Sequence, residues 1–105
     1  MKPPLISLAQ RSKVIEYLFE LARKQDFQKL HLQGQGNDDA NHRQNDLSFI
    51  LDVIIDFLDD DARRIINNDY KQKANRQWWE SYYSKTTYYR LKAKATAEFL
   101  SYLKL

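Results

Sequence analysis

The sequence predicts an all-α protein, a small helical bundle, and three observations carry that expectation. Only two glycines occur, both in "GQG", and the two prolines sit together at Pro3 and Pro4, so helix breakers are confined to the start of the chain and one loop. Elsewhere apolar residues recur at intervals of three and four, the spacing that builds one apolar side on a helix. Short polar side chains able to cap a helix stand before these stretches, at Asn45 or Asp46, at Asp59 to Asp61 and at Ser84.

The first helix follows Pro3 and Pro4, which lack a backbone N–H and fit only before or within a first turn. Leu5, Leu8, Val14, Ile15, Leu18, Phe19, Leu21 and Ala22 give its stripe to about Lys24, and Phe27, Leu30 and Leu32 extend it by a turn or two. "QGQGNDDANHRQN", Gln33 to Asn45, holds one alanine and no larger apolar side chain, and reads as a linker or mobile loop. In "LSFILDVIIDFL" the residues Leu47, Ile50, Leu51, Ile54, Ile55 and Leu58 share one side, widened by Phe49, Val53 and Phe57. This helix is expected to be the most buried, with Ser48, Asp52 and Asp56 as its polar edge. A break near Leu58 to Asp60 then precedes a short helix through Ile65 and Ile66, opened by carboxylates that suit a helix N-terminus.

"KQKANRQWWESYYSK" has no proline or glycine, and Trp78, Trp79, Tyr82 and Tyr83 fit a short helix. Ser84 resets the chain as the cap of a last helix. There Tyr88, Leu91, Ala95, Phe99 and Tyr102 or Leu103 form the inward stripe, and Thr86, Arg90, Ala93, Lys94 and Ala97 lie opposite. Trp78, Tyr82, Tyr88 and Phe99 are expected in the core, since a helical unit this small needs large side chains. Trp79, Tyr83 and Tyr89 are candidates for a surface. A platform for stacking unpaired bases is the weaker reading, because such platforms usually sit on β-sheets.

Net charge is +3 over 105 residues, but its distribution is uneven. Residues 1–61 hold seven Lys or Arg against eleven Asp or Glu, whereas residues 62–105 hold ten against three, about −4 and about +7. The C-terminal part is the basic pole, the pattern of a chain with one end toward a polyanion. Two helices joined by a few residues, the second opening with hydroxylic and basic residues, have the sequence form of a helix-turn-helix. Small Ser and Thr side chains let the N-terminus of that second helix approach phosphates, while Lys85, Arg90 and Lys94 supply phosphate or guanine contacts.

At these residues the chain also resembles a family. "YYSKTTYYRLKAKATAEFL" is similar to the C-terminal signature of the ArpU-type phage transcriptional regulators and of related small proteins in mycoplasmas and other low-GC bacteria. There a Ser-Lys/Arg-Ser/Thr-Thr-Tyr-Tyr-Arg-Leu-Lys core precedes a basic helix ending in Glu-Phe-Leu. The likeness covers Trp78 to Leu103, and "FLDDDARRIINNDY" more loosely resembles the preceding helices of the sigma-factor region 4 fold. The resemblance implies a sigma region 4-like helix-turn-helix over residues 46–105, after an N-terminal helical segment (1–32) and a polar flexible loop (33–45). It further implies that Ser84, Lys85, Thr86, Thr87 and Arg90 occupy recognition-helix positions, and Tyr89 and Lys94 join them as expected DNA contacts. Sigma-type turns carry a glycine or small residue between the helices, where this chain has Tyr82 and Tyr83.

The expected function is therefore transcription regulation by binding double-stranded DNA, with RNA polymerase and a second copy of the chain as further candidate partners. The rival class is a helical protein-interaction module without DNA binding. No cofactor or enzymatic activity is expected. The consecutive Asp59, Asp60 and Asp61 lack the alternating ligands and glycine of a calcium loop, and His31 and His42 have no second ligand at a metal-binding spacing. No run approaches the roughly 20 apolar residues that span a bilayer, and no signal-peptide core is seen, so a soluble, cytoplasmic protein is expected. Because Gln33 to Asn45 offers no apolar surface to a core, shortening it by several residues should leave the thermal unfolding midpoint unchanged; a large drop would show that the loop is packed.

Overall fold

The computed structural model describes residues 7–31 and 46–103. Among these the fold is all-α: α1 (Leu8–His31), α2 (Leu47–Phe57), α3 (Asp60–Ile66) and α4 (Lys85–Tyr102), with no strand. None of these helices is long and apolar enough to cross a membrane. Pro3, Pro4, Leu5 and the Gln33 to Asn45 linker lie outside the described residues.

α1 opens on a capping box. The Ser7 hydroxyl accepts from the Gln10 N–H at 3.2 Å, and the Gln10 amide oxygen accepts from the Ser7 N–H at 3.0 Å, so two groups at the helix start satisfy each other. The extension through Phe27 is helical and reaches His31. Ile15, Phe19 and Ala22 are buried and Leu18 packs beside them, while Val14 and Tyr17 of the same helix face solvent.

Asp46 stands at the N-cap of α2 with extended backbone, yet its side chain makes no capping hydrogen bond. The inner side of α2 is buried as expected, at Leu51, Ile54, Ile55 and the following Leu58. Its outer side is not: Phe49, Ile50 and Phe57 are exposed. The helix is apolar around most of its circumference, and α1, α3 and α4 cover only one side.

The break falls where the sequence places it. Asp59 is extended and its carboxylate accepts from the Ala62 N–H at 2.8 Å, with Asp60 and Asp61 in the first turn of α3. Arg63 closes the joint from the other side, its guanidinium donating to the carbonyls of Ile55, Asp56 and Leu58 at 3.4, 3.2 and 3.0 Å. A basic side chain thus adds a donor to carbonyls at the end of α2, where that of Ile55 also accepts from the Leu58 N–H at 3.1 Å.

α3 widens into a π turn, Asn67–Lys71, that buries Tyr70. The chain leaves it through Lys73 at φ 49°, in the left-handed region, while the Ala74 N–H reaches back to the Asn68 carbonyl at 2.7 Å. This closure resembles a Schellman motif widened by the π turn, with lysine where glycine is favoured. α4 packs chiefly on α3 and also on α1, with Phe99 fully buried and its ring 5.9 Å from that of Phe19. Lys73→Gly should therefore leave stability unchanged or raise it by up to about 1 kcal/mol, because the left-handed conformation costs a residue with a Cβ about that much. Lys73→Ile should lower it, and urea denaturation of both variants checks the pair.

Candidate nucleic-acid interface on α4

α4 begins where the sequence predicts. Ser84 has extended backbone and its hydroxyl accepts from the Thr87 N–H at 3.2 Å while donating to the Thr87 hydroxyl at 2.9 Å. Two of the candidate contact residues, Ser84 and Thr87, are thus engaged in the cap. The rest are exposed: Thr86, Arg90 and Lys94 share the face turned away from the core, while Tyr89 lies toward its edge and Lys85, in the first turn, is half a turn around the axis from Lys94. Lys85, Arg90 and Lys94 form no ion pair among the described residues, and the three span roughly 14 Å of helix. The opposite face carries Tyr88, Ala95, Thr96, Phe99 and Leu100 into the core. Thr96 was not expected there, and Tyr102, offered as an alternative to Leu103, is exposed while Leu103 packs on the core.

What fixes the start of α4 in space is a half-buried carboxylate that sequence reading missed. Asp69, in the π turn, accepts from the Trp78 indole N–H at 2.7 Å and from the Tyr88 hydroxyl at 2.5 Å. Lys92 completes the set, its ammonium 3.3 Å from the same carboxylate and above the rings of Tyr70 and Tyr88 at 5.3 and 5.5 Å. Asp69 and Lys92 are only 13% and 18% exposed, so this ion pair is shielded from solvent screening. Burial first, then the bond to the Asp69 carboxylate, pushes the Tyr88 hydroxyl far above the ordinary phenol range. A sequence signal existed: a half-buried indole N–H needs an acceptor, and Asp69 is an acidic residue close to the aromatic run.

The expected short helix over Trp78 to Tyr83 is instead a single 3₁₀ turn, Trp78–Ser81. Tertiary bonds override the local helical preference, because Trp78 must reach Asp69 while Tyr83 donates to Asp61 at 2.7 Å and accepts from Arg64 at 3.0 Å. Among the described residues no α-helix stands immediately before α4. Burial raises the Tyr83 hydroxyl, helped by Asp61 and opposed by Arg64. Tyr82, expected in the core, is 59% exposed beneath the Arg64 guanidinium, 4.5 Å from the ring centroid. Trp79, expected at a surface, is half-buried and stacks on Tyr88 at 4.7 Å. The aromatic run is a bracket between α3 and α4.

A second set of polar bonds ties α1 to the same helix. The Arg11 guanidinium donates to the buried Thr96 hydroxyl at 3.0 Å and to the Ala93 carbonyl at 3.3 Å. Ser12 and Tyr70 share a 2.6 Å hydroxyl–hydroxyl bond, and burial pushes Tyr70 up to about 12. Comparison with family models, curated proteins and solved structures finds no match to this chain. The likeness to the ArpU-type regulators thus rests on the local motif alone.

Asp69→Asn should cost about 1.5–3 kcal/mol in chemical denaturation, since it removes the charged partner of the half-buried Lys92. The tyrosines give a pH signature of definite sign. Tyr70, Tyr83 and Tyr88 all hold their protons more tightly when folded, so the stability they contribute is complete below about pH 10 and is lost as pH rises beyond it. Thermal midpoints followed from pH 8 upward should fall above about pH 10, and Tyr88→Phe should make that fall shallower; a flat profile would contradict the burial of these hydroxyls.

Proposed function

We propose that this protein regulates transcription by binding double-stranded DNA through the exposed face of α4. The observation that carries the reading is the open face of Thr86, Arg90 and Lys94, with Tyr89 at its edge and Lys85 exposed in the first turn, in which all three cations are free of internal partners. Free cations on a rigid helix can displace counterions from phosphates, and arginine can pair bidentately with guanine in the major groove. Ser84 and Thr87 act indirectly in this reading. They order the first turn, whose backbone N–H groups and dipole favour a phosphate. The 3₁₀ turn takes the place of the first helix of a tight helix-turn-helix and anchors the start of α4 to α3.

One observation favours the rival interaction module, namely the exposed apolar side of α2. The polar edge beside it is a poor candidate for steering a partner at Asp52, which is already paired with Lys71 at 2.7 Å.

Fluorescence anisotropy with labelled duplex DNA across a salt titration separates the two. The double variant Arg90→Ala, Lys94→Ala should bind more weakly and lower the slope of log K against log salt by roughly 1 unit per lost phosphate contact. Its thermal midpoint should stay near that of the parent, because both side chains are exposed and unpaired. Equal affinity and equal slope for parent and double variant would overturn the DNA reading and leave the interaction module.

A further inference from the structure

The aromatic run carries more rings than the bundle buries. Its rings follow one another from Tyr82 to Trp78, Tyr88 and Tyr89 with centroids 6.0, 6.0 and 5.0 Å apart, and Asp69 holds the two in the middle. Both ends of this ribbon reach solvent, Tyr82 at 59% and Tyr89 at 46% exposed. Tyr83 and Tyr88 each donate to a carboxylate, whereas the hydroxyls of Tyr82 and Tyr89 have no hydrogen-bond partner among the described residues. The surrounding chain is basic. Residues 71–97 hold seven Lys or Arg and one acid, Glu80. Lys85 stands one turn before Tyr89 on the same side of α4. Arg76 is at the corner of the turn that leads into the ribbon, closed by the Trp78 N–H on the Asn75 carbonyl at 3.0 Å. Both cations are exposed and without an ion pair among the described residues.

We propose that this ribbon is a second nucleic-acid site and that it takes an unpaired strand, with bases stacked on Tyr82 and Tyr89 and phosphates held by Arg76 and Lys85. Stacking needs the face of a base, and a duplex keeps those faces against one another, so such rings engage bases only where a strand is single. Stacking platforms usually lie on β-sheets. Here the bonds from Trp78 and Tyr88 to Asp69 fix the inner rings, and packing against them limits the freedom that the end rings lose when a base lands. The site is separate from the outer face of α4, since Tyr89 lies about 100° from Arg90 and about 140° from Lys94 around the axis. The inference therefore does not depend on whether that face binds a duplex.

Fluorescence anisotropy of the intact protein with labelled oligo(dT) and oligo(U), unpaired bases on a DNA and an RNA backbone, tests the site. The parent should bind at least one of them, and Tyr82→Leu and Tyr89→Leu should each weaken that binding about 5- to 150-fold, the equivalent of one lost base stack. Leucine keeps an apolar side chain at these exposed positions, so the circular dichroism spectrum should not change. Tyr89→Phe, which keeps the ring face, should bind as the parent does, and the double variant Arg90→Ala, Lys94→Ala should lose less than either leucine variant. A parent that binds oligo(dT) but no duplex supports this site and removes the reading of the outer face. A parent that binds duplex but neither single strand overturns the proposal and leaves that reading standing. The proposal also falls if both leucine variants bind as the parent does, if Tyr89→Phe shares the loss, or if the double variant loses as much as they do.

Discussion

Three segments that local preferences alone would leave independent meet at the carboxylate of Asp69: the π turn after α3, the aromatic turn, and α4. Taking a carboxylate out of water is costly and is tolerated only where strong partners surround it. Here an indole from the aromatic turn and a phenol and an ammonium from adjacent turns of α4 do so. None of them can leave without exposing the cost of the others. The arrangement therefore fixes one position for the start of α4 more firmly than apolar contact alone, which tolerates sliding. Trp79 stacked on Tyr88 and Tyr83 bonded to Asp61 and Arg64 flank that position.

The rest of the bundle works around a shortage of covering surface. Two α1 residues, Val14 and Tyr17, and the outer side of the strongly apolar α2 stay in solvent. Among the described residues no fifth helix lies over them. The interior is instead concentrated where α3 and α4 meet α1, at Ile66, Ile15, Phe99 and Ala95, which are essentially inaccessible. Arg63 and Arg11, each donating to carbonyls of a neighbouring helix, hold the joints that packing leaves loose.

Where the information was local, the sequence was legible. Helical periodicity, the caps at Asp59 and Ser84, and the break between Leu58 and Asp60 all depend on residues a few positions apart, and all appear where expected. The exposed Thr86, Arg90 and Lys94 of α4 were legible for the same reason, since they are the far side of the Tyr88, Ala95 and Phe99 stripe. What escaped was long-range. Whether Trp78 to Tyr83 forms a helix or one 3₁₀ turn is decided by Asp69 and Asp61, nine and twenty-two residues from the side chains they bind. Apolar pattern likewise says that α2 could be buried on every side, but not how many neighbours exist to bury it.

The same limit applies to charge, and there it sharpens the candidate site. Counted along the chain, residues 62–105 form a diffuse basic pole of ten cations. Folding redistributes it. Arg63 and Arg64 meet Asp60 and Asp61, Lys71 meets Asp52, Lys73 meets Glu20, and Lys92 meets Asp69. Four of those five acids come from the acidic first part of the chain, so part of the apparent polarity of the sequence is cancelled by pairs at the surface of the bundle. In "RLKAK" the fold even separates neighbours, turning Lys92 inward to a carboxylate and leaving Arg90 and Lys94 in solvent. Among the described residues the cations of this half left without an ion pair are Arg76, Lys85, Arg90 and Lys94, and three of the four belong to α4, two of them on its outer face and Lys85 in its first turn. Exposed pairs nearly cancel beyond a Debye length of about 8–10 Å, whereas unpaired charges on one face add. The positive field of the protein is therefore narrower than its composition suggests, and it is centred on the helix that the Asp69 bracket holds in place.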